Sequence, residues 1–375
     1  MIRSGSRKGI APTAAQRLLL RAALMEGDAG RQAWEQWRRE PDIERLDAGS
    51  QRLLPQLYRN VRTHASGDPL LERLKGVYRH TWSANGVLLG DARRLLRALV
   101  LAEVPAVVLD GLALITRYFR DPGARAVDSI AIMIAPDHVA KAARILDSEG
   151  WRAAATAHAP RPGPYASQVR MVGGGRPVDL LWDPFPEACT ADIRLACWAS
   201  AEPAAVADVP CRMLAPADEL LRICVRAARW EAIPSFRRLA DALVLLRAAA
   251  SQLDWDRLAH LATRARVVLP VVTSLSLLRE VVDAPVPDRT LRQLEDVSVG
   301  AGEWLEQRLS QTPHPRLGRL PDLLFRYRRL AGSGDWGPSG AGVARFLQEA
   351  WGVRRPWQLP LVALGKCVRR AFRPA

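Results

Sequence analysis

"RAVDSIAIMI", residues 125–134, is the stretch whose reading decides the fold. A turn-like "RDPGA" runs into it, and Ile130, Ile132 and Ile134 then recur at every second position of a β-rich run. Side chains two apart on a strand share a face. The three isoleucines therefore line one face and Ser129 and Ala131 the other, and the stretch reads as a buried strand over 128–134.

Working outward, "VPAVVLDG" (104–111) is a short apolar run ended by Gly111, a second buried strand. "LALITRYF" (112–119) has helical spacing, and "APDHVAKAARILDSEGW" (135–151) reads as a helix with Asp137 near its start and Gly150 near its end. "YASQVRMVGGGRPVDLLW" reads as a strand, a hairpin turn at Gly173–Gly175, and a further strand over 177–182. The glycine run also permits a phosphate cradle, but a hairpin is the simpler reading between two strands. Together these segments make a compact α/β unit over residues 101–185.

Helical periods flank that unit. Residues 13–62 and 68–101 repeat apolar positions at three- and four-residue steps, as do 216–230, 235–249, 254–282 and 288–310. The expected organisation is an N-terminal helical region (1–100), the α/β core (101–185), a C-terminal helical region (186–330), and a loop with a basic amphipathic tail (331–375). In the tail, Leu361, Val362, Leu364, Val368 and Phe372 lie beside Lys366, Arg369, Arg370 and Arg373. Two readings stand: a helix docked on the protein, or weak contact with an anionic membrane or an acidic partner. His138 and His260 read as surface or capping residues, and Trp230, Trp255, Trp304 and Trp351 as packing between helices.

Formal charge is +15 and the isoelectric point is near 10.6, yet only Lys8, Lys75, Lys141 and Lys366 are lysine. The basic residues are thus almost all arginine in an alanine-rich chain. That fits either a GC-rich coding sequence or a true anionic partner. Helix-turn-helix, zinc-finger and RNA-recognition signatures are absent, so specific nucleic-acid binding is not expected. Five cysteines without a CxxC pair argue against a disulfide framework and suit a reducing cytoplasm. No HExxH or Cys/His cluster suggests zinc, and the glycine loop near 332–342 lacks the GK[ST] of a P-loop. No apolar run reaches the roughly 18–20 residues of a membrane span. The basic N-terminus, interrupted by Arg21, reads as a lead into a helix rather than a signal peptide.

Several stretches together resemble the poorly characterised nucleotidyltransferase family of the polymerase-β-like superfamily. They are "NGVLLGDARRLLRALVLAEVPAVVLDGLAL", "YFRDPGARAVDSIAIMI", "APDHVAKAARILDSEGW", "VDLLW" and "LLRICVRAARW…RRLADALVLLR". The resemblance covers most of residues 80–280. It implies an α+β fold, a small mixed-sheet nucleotidyltransferase core embedded in a mostly helical protein. It also implies transfer of a nucleotidyl group from an NTP to an acceptor hydroxyl, with Mg²⁺ ions bridging the triphosphate and the attacking oxygen. Such ions need hard carboxylate ligands. The family supplies them as two Asp, two residues apart on one strand, and a third on the neighbouring strand.

This sequence departs from that pattern. The paired Asp positions fall on Ser129 and Ala131, which are vacated ligand positions. The family Lys before the Gly is Asp110, and the His after the third Asp is Leu181. Asp179 keeps the third carboxylate, and Gly111, Asp121 and Arg125 are retained. By the resemblance, Asp179 is the remaining catalytic and metal-holding candidate, and Gly111, Asp110 and Arg125 are the nucleotide-binding candidates. Asp128 joins Asp179 only if a bulge or register shift turns it inward; otherwise it caps a turn. Asp110 is either a displaced carboxylate near Gly111 or a solvated residue at a strand end.

Three functions follow. The chain is a nucleotidyltransferase using Mg²⁺ and NTP, or a degenerate member serving as a binding or scaffold module for a biosynthetic partner, or a basic nucleic-acid-binding protein. The loss of the Asp pair favours impaired or absent catalysis. The acceptor, small molecule or peptide, is not written in the residues.

Overall fold

The computed structural model describes residues 11–39, 43–65, 67–154, 167–185, 187, 190–229, 236–311, 320–332, 340–351, 353 and 355–371. The start of the N-terminal lead, the first residues of the "YASQVR" stretch, Trp230, most of the glycine loop near 332–342 and the last residues of the tail lie outside these.

The centre is one mixed sheet of seven strands: β1 (Ala106–Leu109), β2 (Ile130–Ile134), β3 (Arg152–Ala153), β4 (Gln168–Val172), β5 (Val178–Leu181), β6 (Glu202–Val206) and β7 (Val209–Met213). Their spatial order is β3-β4-β5-β2-β1-β7-β6. β2 runs antiparallel to β1 and parallel to β5, while β1 runs parallel to β7. The fold is α+β, with this sheet embedded among helices. The β6–β7 hairpin extends the sheet into the stretch where the sequence pattern shows no strand, beyond residue 185. Its β6 carries Pro203 and two alanines, Ala204 and Ala205, a composition with no β-branched run to betray it before Val206.

Alternation along β2 sorts the two faces. Ile130, Ile132 and Ile134 pack with Val178 and Leu180 of β5 against Leu88, Leu95 and Leu99 of the long helix Pro69–Leu101, and against Val139 and Leu146 of the helix Val139–Ser148. Ala131 and Met133 share the other face with Val107, Leu109 and Leu181, beneath the C-terminal helices. That second core takes in Leu220 and Cys224 of the helix Pro216–Ala227, Leu243 of the helix Arg237–Ala248, and Val271 and Leu275 of the helix Val268–Val282. It also takes in Leu19 and Leu20 of the helix Ala14–Leu24, so the two flanking helical regions join in one core.

Two helical periods prove interrupted. Residues 254–282 form separate helices, Trp255–Arg264 and Val268–Val282, because Arg266 adopts a left-handed backbone with φ 52°. Residues 288–310 likewise divide into Asp288–Glu295 and Ala301–Ser310. The turn at 173–175 does need its glycines. Gly173 and Gly175 hold φ 115° and 154°, and a Cβ on Gly175 would run into the Asp91 carboxylate. Among the described residues, no helix is long and apolar enough to cross a membrane.

Candidate functional site

The approach to β2 is shaped by the long helix Pro69–Leu101. Asn85, fully buried, donates to the carbonyls of Pro122 and Arg125 at 2.6 and 2.7 Å and accepts from the Val127 amide at 3.2 Å. One side chain thus satisfies three backbone groups of the loop entering the strand. Asp121 accepts from the Gly123 amide and from the Tyr78 hydroxyl, each at 2.9 Å, so its work is to hold the turn. A Cβ on Gly123 would collide with the Tyr78 ring, so glycine is required for that contact.

The loop delivers Arg125 beneath the sheet's second face, and a cavity of about 240 Å³ opens there. Asp110, Gly111, Arg125, Asp128, Ser129 and Asp179 all border it. Ala131 lies one step further in on the same face as Ser129, buried and paired with Asp179 across the parallel register. The register of β2 on β5 is unshifted, Ile130 to Val178 and Ala131 to Asp179. Ile130 and Ile132 accordingly stay on the far face. Asp128 precedes the strand at the exposed rim, where Arg52 holds it at 2.7 Å.

Each carboxylate in the cavity wall is engaged by arginine. Asp179 takes a two-pronged contact from Arg170 of β4, Nε to Oδ1 at 2.9 Å and Nη2 to Oδ2 at 3.0 Å, and the Ser129 hydroxyl donates to Oδ2 at 2.6 Å. Arg125 forks onto Asp241 at 2.6 and 2.8 Å, buried on both sides. Asp110 is gripped by Arg222 and by Arg226, the latter at 2.6 Å. Burial alone would push the Asp110 carboxyl up, but Arg222 and Arg226 hold it well below the ordinary carboxylate range. Asp110 is therefore an ion-paired residue rather than a solvated strand end. It also sits in the left-handed region at φ 56°, a backbone that its two guanidinium contacts help to fix.

Gly111 serves packing. A Cβ there would lie 2.5 Å from Nη1 of Arg125 and 2.8 Å from Val127. Its missing side chain makes room for Arg125, so the guanidinium reaches the cavity wall beside the Gly111 backbone.

The residues that sequence reasoning missed are the arginines. Arg52, Arg170, Arg222, Arg226, Arg237 and Arg238 complete the wall with Arg125, so seven guanidinium groups face four aspartates. Two signals pointed to them. Counting back from the glycine turn places Arg170 opposite Asp179 in the antiparallel hairpin, and the i, i+4 spacing puts Arg222 and Arg226 on one helix face.

The Mg²⁺ site implied by the resemblance does not fit these residues. Both oxygens of Asp179 are taken, Ala131 offers no donor atom, and Asp110 and Asp128 are each spent on arginine. Among the described residues no group of three His, Cys, Asp or Glu side chains could hold a metal ion.

A family model described as "Uncharacterised nucleotidyltransferase" matches residues 47–283. No curated protein matches the chain. Among solved structures, the chain is similar at 18% identity to the antibiotic-resistance factor ANT(2'')-Ia, studied in solution for its substrate-regulated conformation dynamics. That match covers 48% of this chain and 92% of the other, with a TM-score of 0.34.

Proposed function

The chain belongs to the uncharacterised nucleotidyltransferase family, and from that membership we propose that it keeps the fold as a binding or scaffold module. Metal-dependent transfer of a nucleotidyl group from NTP to an acceptor hydroxyl is impaired or lost. One observation carries this reading: Asp179, the remaining carboxylate of the family's metal set, is neutralised by Arg170 and capped by Ser129. Nucleotidyl transfer relies on charge neutralisation by divalent cations held in carboxylates. A carboxylate already paired to a guanidinium and capped by a hydroxyl offers less net charge to a hydrated Mg²⁺ ion, which sheds its water reluctantly.

Calorimetric titration with NTP, with and without Mg²⁺, tests the reading. The expected result is that Mg²⁺ confers no nucleotide binding. Binding that needs Mg²⁺ and is abolished by Asp179→Ala would restore the catalytic reading.

A further inference from the structure

We propose that the cleft is a metal-independent site for a polyphosphate anion, held by guanidinium groups at the position where the family's chemistry calls for divalent cations. This rests on the loss of the metal set argued above and names what the same cavity takes instead.

The charge of the wall is the first support. Seven arginines against four aspartates leave the wall of one small cavity with an excess of positive over negative side chains. All four aspartates already have guanidinium partners, Arg52, Arg125, Arg170, Arg222 and Arg226 between them. A divalent cation entering this wall meets net repulsion, whereas an anion of several charges is drawn in.

Arg237 is the second support. It donates to the Ala126 carbonyl at 3.3 Å and has no carboxylate within ion-pair distance among the described residues. Burial and the neighbouring Arg125 push its pKa down to about 9, although Asp241 and Asp128 pull the other way and Arg52 adds to the repulsion. A desolvated guanidinium beside another guanidinium is unfavourable by itself. An arriving anion would relieve that cost, so the protein holds a cation poised for a ligand it does not itself supply.

Geometry and chemistry then select the ligand. The guanidinium fork matches phosphate oxygens two at a time, and arginine stays charged across the physiological range. The arginines converge from β4, from the helix Pro216–Ala227 and from the helix Arg237–Ala248. At about 240 Å³ the cavity is smaller than the roughly 300–1,000 Å³ of pockets that engulf a drug-sized ligand. It suits a charged phosphate tail, with any attached group left outside. A single phosphate would neutralise only part of the surplus, which points to linked phosphates.

The test is titration of the full chain with inorganic tripolyphosphate and with ATP, first in excess EDTA and then with rising Mg²⁺. Both ligands are expected to bind in EDTA with affinities within about threefold of each other. Mg²⁺ is expected to weaken both, because it sequesters the free anion and finds no carboxylate site. Arg237→Ala should cost roughly ten- to a hundredfold in affinity, the worth of a charge-assisted hydrogen bond, with melting temperature unchanged or raised. Arg289→Ala, exposed and remote from the cleft, should leave binding unchanged.

Absence of binding in EDTA, recognition of ATP without tripolyphosphate, or equal losses in Arg237→Ala and Arg289→Ala would overturn the proposal. If neither ligand binds under any condition, the anion site fails while the loss-of-catalysis reading stands. Binding that appears only with Mg²⁺ overturns both.

Discussion

Two places in the molecule use the same three residue types in nearly the same geometry. At Asp218, Arg257 forks onto the carboxylate at 2.7 and 2.8 Å and the Ser200 hydroxyl donates at 2.6 Å. At Asp179, Arg170 forks at 2.9 and 3.0 Å and the Ser129 hydroxyl donates at 2.6 Å. What separates them is the surroundings. The Asp218 and Arg257 side chains are 1% and 27% exposed, whereas Asp179 and Arg170 are 14% and 53% exposed. Arg257 also reaches the Ala196 carbonyl and the Ser200 hydroxyl, which knits the helix Trp255–Arg264 to the helix Ala191–Ser200. The same set is a cross-link where it is sealed and the wall of a cleft where it is open.

Removing Arg257 should give the largest effect. Arg257→Ala leaves the buried Asp218 carboxylate uncompensated, and a loss of about 3–5 kcal/mol in denaturant unfolding is expected, with phosphate binding in the surviving folded fraction unchanged. A loss below about 1 kcal/mol would mean the sealed triad behaves like a surface pair, and the distinction collapses.

Glu219 sharpens the contrast, because it is a sealed acid without a guanidinium fork. It follows Asp218 and lies one turn before Arg222, yet both of its oxygens lack a hydrogen-bond partner. Burial pushes its carboxyl from 4.5 up to about 7, with Arg222 opposing and Asp110 adding to the rise. The folded protein therefore holds a proton that the unfolded chain releases between pH 4.5 and 7. Stability from this group is fully present at low pH and falls as pH rises through that window, with a penalty on the order of 3 kcal/mol above it. Glu219→Gln should flatten the dependence of melting temperature on pH between 5 and 8. An unchanged slope would place the proton elsewhere.

Arg170→Ala should have the smallest effect on stability. The pair is half open to water, so about 0–1 kcal/mol is expected by chemical denaturation. Its consequence is electrostatic: the cleft loses one positive charge and gains a bare carboxylate, so tripolyphosphate affinity should fall. A melting shift as large as that of Arg257→Ala would show that the cleft pair is structural.

The strand at 130–134 and the glycine hairpin were legible because alternation and turn chemistry are local signals. The shared face of Ser129 and Ala131 was legible too, and the observed register sets Ala131 beside Asp179. The β6–β7 hairpin was hidden by its alanines and by Pro203. The break at Arg266 was hidden because nothing but the fold demands its positive φ. The arginine wall was the least legible part. Arg52, Arg170, Arg222 and Arg237 are spread over nearly two hundred residues of an arginine-rich chain. Hairpin register and i, i+4 spacing group three of the wall's arginines, but neither signal says that the group lines a cleft rather than the outer surface. Arg125 illustrates the difficulty: it matches a nucleotide-binding position by resemblance, yet its guanidinium is committed to Asp241, 116 residues away.

If guanidinium groups stand in for divalent cations in this cleft, the protein has no use for a metal ion there. Titrating the protein with Mn²⁺ and following the free ion by electron paramagnetic resonance tests this most directly. The wild-type chain should show no stoichiometric Mn²⁺ site, and Asp179→Asn should leave the titration unchanged. A site of one or two ions per chain that disappears in Asp179→Asn would contradict the claim.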